Sequence, residues 1–349
     1  MGQAYNPLLV HLSPDKTEFY RHSPALFWSD QLNSWITANP ETMQVIQKSP
    51  LFRVLDHSAE TERIRSRLDI DLPHIGRVFK SVPVNVEGEE HGARRRRMAQ
   101  AISNRTEEAL SRFALLARGL CAEQLCRQGV SELVAGLFEP LVLELAHALS
   151  GITLTHNPDF ISPAQIFDRS LGLNRRKLVD AQIGKLWRQA SESMSESEAD
   201  LAIAMAVLGS DTILGSLALS FAERVSANPG IRMSDIAWGD RLTLTAVPFI
   251  ERVASAAVDL AGVKIRQGDL VRLFLDGFSL TPLEDRDGYF GTGRHACLGR
   301  PVAQRAWCAL AVVLSELPVS VRIDSVRFRA TDCMFLFPRE IMVTSVGRA

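Results

Sequence analysis

The spacing of apolar residues is helical over much of the chain. Four segments carry apolar side chains at intervals of three and four residues, as a helix with one buried face does: residues 105–126, 131–151, 196–227 and 301–317. The last segment begins with Pro301 and ends just before Pro318. Proline is common at a first helical position and beyond a helix end. The pattern therefore predicts a protein built mainly from helices.

Strand patterns are fewer and lie towards the C-terminus. Residues 257–260 and 263–265 indicate two short strands with a tight turn at Gly262 between them, and residues 270–275 indicate another. Residues 321–328 and 341–346 are two further candidates. The chain shows no repeat, low-complexity tract or linker. We therefore expect one domain over residues 1–349, mainly α with a small β-region.

Composition narrows the classes of partner. The chain has 349 residues, 46% of them hydrophobic, with 39 basic against 40 acidic residues. A chain of this length can bury a large core. Its balanced charge favours neither nucleic acid nor an anionic membrane as partner. The first residues lack the pattern of a secretory leader, and the longest apolar stretch, 201–219, is interrupted by Asp211. We expect a cytoplasmic protein.

The cysteines form no familiar set. They stand at positions 121, 126, 297, 308 and 333, without a CxxC pair and without zinc-site spacing. A disulfide framework is not expected in a chain of this kind. We expect four of them to be small core residues, and Cys297 to differ.

Cys297 lies in the segment FGTGRHACLG, residues 290–299. Its glycines allow a sharply bent loop whose backbone can approach a flat ligand. Cys297 comes just before a predicted helix start, where amides and the helix dipole stabilise a thiolate. A thiolate is a strong ligand for heme iron and favours O–O cleavage there. His295 and Arg294 could neutralise anionic groups beside it. The alternative is a glycine-rich turn that contains a buried cysteine.

Two other segments carry chemistry only in context. In Leu208-Gly209-Ser210-Asp211-Thr212 the hydroxyls can bond back to carbonyls one turn earlier, which tends to kink or open a helix. Such a gap could accept dioxygen, with Asp211 and Thr212 relaying protons; the alternative is a buried helix with a polar face. His91 and Arg95, four residues apart, share one helical face and suit carboxylates such as heme propionates. The alternative there is a solvated basic face.

These segments resemble motifs of the cytochrome P450 superfamily. Residues 290–299 match every fixed position of its heme-binding loop, F-G-x-G-x-H-x-C-L-G. Residues 208–212 resemble its distal-helix signature, A/G-G-x-D/E-T, with Leu208 in place of the small residue. Residues 90–95 resemble its P-P-E-H-x-x-x-R stretch without the prolines. Arg252 resembles its propionate-binding arginine, and residues 262–271 fit the following G-x-x-I-x-x-G-D-x-V pattern. The motifs occur in the family's order from about residue 85 to the C-terminus.

The resemblance implies a shortened cytochrome P450 (heme-thiolate) fold and a monooxygenase that uses heme b (iron protoporphyrin IX). Cys297 would be the metal ligand, and the catalytic residues would be Gly209, Asp211 and Thr212. The cofactor-binding residues would be His91, Arg95, Arg252, Phe290, Gly293, His295 and Gly299. The substrate would be a small molecule or carrier-tethered. A ferredoxin or flavodoxin-type electron donor would dock on Arg294, Arg300 and Arg305.

The sequence also departs from the family pattern. Trp238 stands where the glutamate of the family's E-x-x-R pair belongs, with Arg241 in the arginine position. The stretch 271–290 is short, and the stretches 151–209 and 212–241 are compressed, which suggests an altered or more open pocket. These cuts fit a streamlined enzyme. The alternatives are a peroxide-driven or non-oxygenating heme-thiolate enzyme, and a degenerate helper protein without catalysis.

Overall fold

The computed structural model describes residues 16–155, 163–168, 171–328 and 337–346. Helices form most of it, as predicted. In chain order they are α1 Lys16–His22, α2 Pro40–Lys48, α3 Ser58–Leu68, α4 Pro73–Ser81, α5 Gly88–Leu125, α6 Glu139–Ser150, α7 Leu173–Ser191, α8 Glu196–Ala227 and α9 Arg300–Ser315. A π-helical turn, Val134–Phe138, leads directly into α6.

The strands form a small β-region in three sheets. In chain order they are β1 Phe27–Ser29, β2 Ser34–Thr37, β3 Phe52–Arg53, β4 Gly129–Glu132, β5 Phe249–Ala254, β6 Val258–Leu260, β7 Val263–Ile265, β8 Leu270–Phe274, β9 Ser320–Phe328 and β10 Pro338–Val346. A five-stranded sheet has the order β1-β2-β8-β5-β3, and its β2–β8 pair is parallel while its other pairs are antiparallel. A three-stranded antiparallel sheet has the order β4-β10-β9, and β6 pairs with β7.

Two large apolar clusters hold the helices together. The first joins α5, α6, α8 and α9 around Phe113, Phe138, Phe221 and Trp307, which are fully buried. The second lies under α4, α7 and the first half of α8. α8 belongs to both clusters, so this helix is the central element of the fold.

The predicted elements agree with the structure over most of the chain. α8 has the predicted bounds, and a capping box formed by Ser195 and Glu198 fixes its start. α5 begins well before residue 105, and residues 129–132 form a strand where the pattern predicted the start of a helix. The β6–β7 turn occurs as predicted, with positive φ at Ala261 and Gly262.

α8 is also long and apolar enough to cross a membrane, but 67% of its apolar window is buried inside the fold. It is continuous through residues 208–212. The predicted back-bonding is present, since Ser210 Oγ donates to Ala206 O (2.8 Å) and Thr212 Oγ1 to Leu208 O (2.9 Å). These bonds do not break the helix, so the opening predicted from this segment is not observed.

The compressed stretches have simple structures. Between α6 and α8, the described residues form one 3₁₀ turn, Pro163–Phe167, and α7. After α8 there is a 3₁₀ turn at Met233–Asp235, and residues 236–248 then form neither helix nor strand. The positions matched to the E-x-x-R pair, Trp238 and Arg241, therefore do not lie on a helix.

Side chains from neighbouring helices hold the segment 236–248. Ser220 Oγ accepts from the amides of Thr243 and Leu244, and Ser216 Oγ accepts from that of Ala246. Gln304 of α9 accepts from the amide of Leu242. Because buried amides need partners, these side chains replace the hydrogen bonds that a helix would supply itself.

Three of the four cysteines expected in the core lie in the described residues, and of these three Cys121 is buried. Cys126 is exposed, contrary to the prediction, because it caps the end of α5. Cys308 is partly exposed and its Sγ donates to Asp240 O (3.3 Å). Cys333 lies outside the described residues.

Candidate active site

One cavity of about 390 Å³ lies between α5, α8, the strand β5 and the segment 290–299, which we call the cysteine loop. Its lining is mostly apolar. Nine of the site residues predicted from the sequence line it, whereas Gly293 and Asp211 do not; the nine are His91, Arg95, Gly209, Thr212, Arg252, Phe290, His295, Cys297 and Gly299. A cavity with a few converging polar groups is the usual form of a small-molecule site.

Cys297 faces this cavity from the protein interior. Cys297 is exposed because it borders the cavity, not because it lies on the outer surface of the protein. Burial raises the pKa of the thiol, and hydrogen bonds from the Gly299 and Arg300 amides oppose this without reversing it. The amides at the helix start favour the thiolate, as the sequence predicted, but their effect on the pKa of Cys297 is smaller than that of burial. They do not produce a thiolate by themselves. A bound cation would, since metal coordination deprotonates a thiol.

Three side chains from distant elements fix the cysteine loop. The Gln47 side-chain oxygen accepts from the Thr292 amide and hydroxyl. Glu87 Oε2 accepts from Arg294 Nε (3.0 Å) and contacts His295 Nε2 (3.1 Å). Arg95 Nη1 donates to Ala296 O (2.6 Å). The loop is thus held in place before any ligand binds, and neither Gln47 nor Glu87 was predicted as a site residue.

Gly293 and Gly299 have different reasons to be glycine. Gly293 has φ +72°, and an added Cβ would lie 3.0 Å from the Gln47 carbonyl oxygen. Gly299 has an ordinary φ of −78°, and its added Cβ would lie 3.7 Å from Cys297 Sγ. Gly293 allows the bend of the loop, whereas Gly299 leaves space beside the sulfur. Phe290 lines the cavity, and its carbonyl accepts from the Cys297 amide (2.8 Å).

Arg252, His91 and His295 bring polar nitrogen atoms to the cavity. Arg252 is 7% exposed and donates to Glu251 O (2.8 Å), but it forms no ion pair with a carboxylate in the described part of the chain. Burial lowers its pKa to about 10. Within the same described ranges, His91 Nε2 and His295 Nδ1 are buried without hydrogen-bond partners. A buried unpaired cation is costly, so these residues suit an anionic ligand.

α8 separates the predicted catalytic residues. Gly209 and Thr212 line the main cavity, and so does Leu208, which narrows it where the resembled motif has a small residue. Asp211 instead lines a second cavity of about 30 Å³, with Glu139. Ser210 borders both cavities. Thr212 therefore lies at the main cavity and Asp211 at the smaller one, and their proton relay stays a prediction.

The position that lacks the expected glutamate is filled by aromatic packing. Trp238 is buried, stacks on Phe221 (centroids 5.8 Å apart) and meets Trp307 edge-on (6.3 Å). Its indole Nε1 donates to Met233 O (2.9 Å). Arg241 pairs with Asp287 (Nη1–Oδ1 3.2 Å). The ion pair suggested by the resemblance is therefore replaced by an apolar stack and by a different carboxylate.

The three arginines predicted as a docking surface are each paired within the chain. Arg294 pairs with Glu87, Arg300 with Asp287, and Arg305 with Glu107. Their charges are partly neutralised, which weakens the basic patch that the sequence suggested.

No family model and no curated protein matches this sequence. Solved structures do match its fold. P450BioI in complex with hexadec-9Z-enoic acid ligated acyl carrier protein superposes with a TM-score of 0.70 at 18% identity, over 95% of this chain and 98% of that one. The P450 heme domain of Tepidiphilus thermophilus gives a TM-score of 0.74 at 16% identity, over 98% and 96%. Epothilone D-bound P450epoK gives 0.73 at 14% identity, over 100% of both chains. The chain has the cytochrome P450 fold.

Proposed function

We propose that this chain is a single-domain, cytoplasmic heme-thiolate monooxygenase that oxidises a small organic substrate. The observation that carries the proposal is that three kinds of group line one largely apolar cavity: the Cys297 thiol, the Arg252 guanidinium, which pairs with no carboxylate among the described residues, and the imidazoles of His91 and His295, each with a buried nitrogen that has no hydrogen-bond partner there. The fold of the structural neighbours supports it, because they are cytochrome P450 proteins.

The residues present fit heme b. Heme is a flat apolar ring with two carboxylates at one edge and a metal at its centre. Cys297 would hold the iron, and Arg252, Arg95, His91 and His295 would hold the carboxylates. The added carboxylates would also remove the cost of the buried unpaired guanidinium of Arg252. Gly299 leaves room beside the sulfur, and the small and apolar side chains of Val302 and Ala303 line the cavity.

The chain's own residues would do the rest. When bound, heme supplies the activation of dioxygen. The Gly299 and Arg300 amides would hydrogen-bond the sulfur and control its donor strength. The Thr212 hydroxyl, placed at the cavity wall, would pass a proton into the cavity, with Ser210 linking it to the side where Asp211 lies. Leu208 and Phe167 would exclude water and restrict the substrate.

The experiment that tests the proposal is the absorption spectrum of the reduced, carbon-monoxide-bound protein after expression with ample heme. We expect the red-shifted Soret band of a thiolate-ligated heme, and its loss in Cys297→Ala. Cys121→Ala is the matched control, because Cys121 is buried far from the cavity lining and should keep the band. A wild-type protein without heme would refute the proposal.

Two alternative functions would use the same site, and turnover assays distinguish them from a monooxygenase. A peroxide-driven or non-oxygenating heme-thiolate enzyme would turn over with peroxide, or without an oxidant, but not with a ferredoxin or flavodoxin-type donor. A helper protein would show no turnover with either and would co-purify with another protein. The convergence of Cys297, Thr212 and the carboxylate-binding residues on one cavity favours the monooxygenase, because a helper has no need for it.

The short cap bears on the substrate. Among the described residues between α6 and α8, Phe167 is the one that lines the cavity, so the described part of this stretch contributes little to the cavity wall. One structural neighbour is complexed with an acyl carrier protein. We therefore propose a carrier-tethered substrate as an option beside a free small molecule. A shift of the heme spectrum by an acyl-loaded carrier, but not by the free acid, would favour the tethered form.

A further inference from the structure

One face of α7 carries positive charge that the described part of the chain does not neutralise. Four basic side chains of this helix are exposed, and none of them forms an ion pair with a described residue: Arg175, Lys177, Lys185 and Arg188. The one acidic residue of α7, Asp180, is buried, and its carboxylate accepts from the His74 and Ile75 amides at the start of α4 (2.9 and 2.8 Å). The exposed face of α7 therefore presents positive charge alone.

Exposed charges on other helices are paired within the chain. Arg65 of α3 pairs with Glu62 three residues before it (2.7 Å), and Arg118 of α5 pairs with Glu316 at the end of α9 (2.6 Å). Glu192, which follows α7, is exposed and pairs with no described residue. The whole chain has a net charge of −1, so the face of α7 is a local excess of positive charge on a nearly neutral protein.

An exposed leucine lies among these charges. Leu178 is 59% exposed. Successive residues of a helix turn by about 100°, so Leu178 and Lys185 lie on nearly the same line along α7, and Lys177 and Arg188 form a second line beside it. An apolar side chain with charged neighbours matches the composition of a protein interface, which has an apolar centre and a polar rim.

The opposite face of α7 packs on the layer that forms one wall of the cavity. Val179 and Ile183 of α7 belong to the second apolar cluster. Three residues that pack against this cluster also line the cavity, namely Ile102, Met205 and Leu208. One apolar layer therefore lies between α7 and the cavity. A protein bound to the exposed face of α7 would stand beside the substrate site, which is where a protein that carries the substrate has to bind.

We propose that the exposed face of α7 binds an acidic carrier protein that presents the substrate. The inference rests on the proposed function, of which it specifies the carrier-tethered form. Charge selects the partner, because unpaired positive side chains attract a protein whose surface is negative. Leu178 would supply an apolar contact within that interface. This surface differs from the one predicted for the electron donor, whose arginines are paired within the chain.

The experiment measures binding of the purified holoprotein to a fluorescently labelled, acidic acyl carrier protein that is loaded with hexadec-9Z-enoic acid. The test variant reverses two charges, Lys185→Glu together with Arg188→Glu. We expect it to bind at least about tenfold more weakly at low salt, chiefly through slower association. Binding of the wild type should weaken as salt is added, because salt screens exposed charges, and binding of the variant should depend little on salt.

Matched variants test charge and apolar contact separately. Lys264→Glu together with Arg266→Glu reverses the same two residue types at the β6–β7 hairpin, where both are exposed and pair with no described residue, and should bind as the wild type does. Leu178→Ser should weaken binding at every salt concentration. Leu115→Ser, at a leucine of α5 that is 75% exposed, should not. All these proteins should keep the thiolate band, because none of the changed residues lines the cavity.

Equal binding by the two charge-reversed variants would overturn the inference, and so would a wild-type holoprotein that shows the thiolate band but does not bind the carrier. Either result would leave the proposed heme site standing. Binding to DNA, or to vesicles of phosphatidylcholine and phosphatidylserine, that depends on Lys185 and Arg188 while the carrier does not bind would also overturn it, by assigning the face to another class of partner. A wild-type protein without the thiolate band would refute the proposed function instead.

Discussion

The imidazole rings of His91 and His295 lie with their centroids 4.2 Å apart, at an interplanar angle of 53°. One ring belongs to the first turn of α5 and the other to the cysteine loop. Burial lowers the pKa of His91, and it lowers the pKa of His295 to about 4. Both rings are therefore neutral at pH 7, which permits their close approach. Arg252, which also lines the cavity, keeps its positive charge at pH 7. Burial of this charge without a carboxylate partner among the described residues lowers the stability of the heme-free protein.

Replacement of Arg252 should separate stability from cofactor binding. We expect Arg252→Met to raise the free energy of unfolding of heme-free protein by about 1–4 kcal/mol, because an apolar side chain removes a buried cation without a carboxylate partner. The same variant should release heme faster. Chemical denaturation and heme transfer to an acceptor protein measure the two effects.

Arg272→Met is the control for this change. Arg272 Nε contacts Glu251 Oε1 (2.8 Å) on the neighbouring strand, and both side chains are largely buried. Its loss leaves a buried carboxylate unpaired and should lower the free energy of unfolding by about 3–5 kcal/mol. If Arg252→Met destabilised the heme-free protein as Arg272→Met does, our account of Arg252 would be wrong.

Gln47 should contribute to the order of the cysteine loop from α2. Gln47→Ala removes the acceptor of the Thr292 amide and hydroxyl, and we expect a loss of about 1–3 kcal/mol in the free energy of unfolding. Amide hydrogen exchange of the loop should become faster. Gln44→Ala, on the same helix but outside the buried set, is expected to leave both quantities unchanged. Equal effects of the two substitutions would contradict the role assigned to Gln47.

The two glycines of the loop should respond differently to alanine. Gly293→Ala places a side chain at φ +72° and 3.0 Å from the Gln47 carbonyl oxygen, so we expect a loss of about 1–2 kcal/mol. Gly299→Ala meets no such strain and should change stability little, but its methyl group would lie in van der Waals contact with Cys297 Sγ (3.7 Å) and should alter the Soret band of the holoprotein. Thermal unfolding and absorption spectra distinguish the two. A larger loss of stability in Gly299→Ala would show that we have exchanged their roles.

Glu87 should make stability depend on pH in the acidic range. Burial raises the pKa of this carboxyl. The Val54 amide, His295 and Arg294 together lower the pKa by more than burial raises it, so the net shift is downward. A lowered folded-state pKa gives stability that is present above the unfolded-state pKa, about 4.3, and is lost as the pH falls through the folded-state value. We therefore expect the difference in free energy of unfolding between wild type and Glu87→Gln to be constant at neutral pH and to shrink below about pH 4.

Glu89→Gln is the control, since Glu89 is an exposed carboxyl two residues away in the first turn of α5. Urea denaturation at a series of pH values measures both variants. A difference between wild type and Glu87→Gln that stayed the same down to pH 3 would contradict the lowered pKa of Glu87.

The sequence predicted the features that depend on local pattern. The bounds of α8 follow from its apolar spacing and its Ser195 cap, and the cysteine loop, with its glycines, is one contiguous motif. The structure also brings His91, Arg95, Arg252 and His295 to one cavity, as the motifs indicated. That Asp211 and Thr212 differ in placement was open to prediction too, because adjacent helical residues point in directions about 100° apart.

Other features depend on contacts that no local pattern shows. Gln47 is 245 positions from Thr292, and Glu87 is 208 positions from His295, so neither had a sequence signal for its role. The segment 236–248 forms neither helix nor strand. Its hydrogen bonds come from Ser216, Ser220 and Gln304, and a propensity argument does not include such partners.

The cavity affects the stability of the folded chain and therefore the amount of folded protein that accumulates. An apolar space of about 390 Å³ between the central helix and the cysteine loop leaves its lining without packing partners. A group that fills it and binds only the folded chain stabilises that chain by mass action, by about 4 kcal/mol at a thousand times its dissociation constant. A heme-binding chain of this shortened kind would therefore accumulate in proportion to the heme available while it folds, and cofactor synthesis would set its abundance as much as its own gene does.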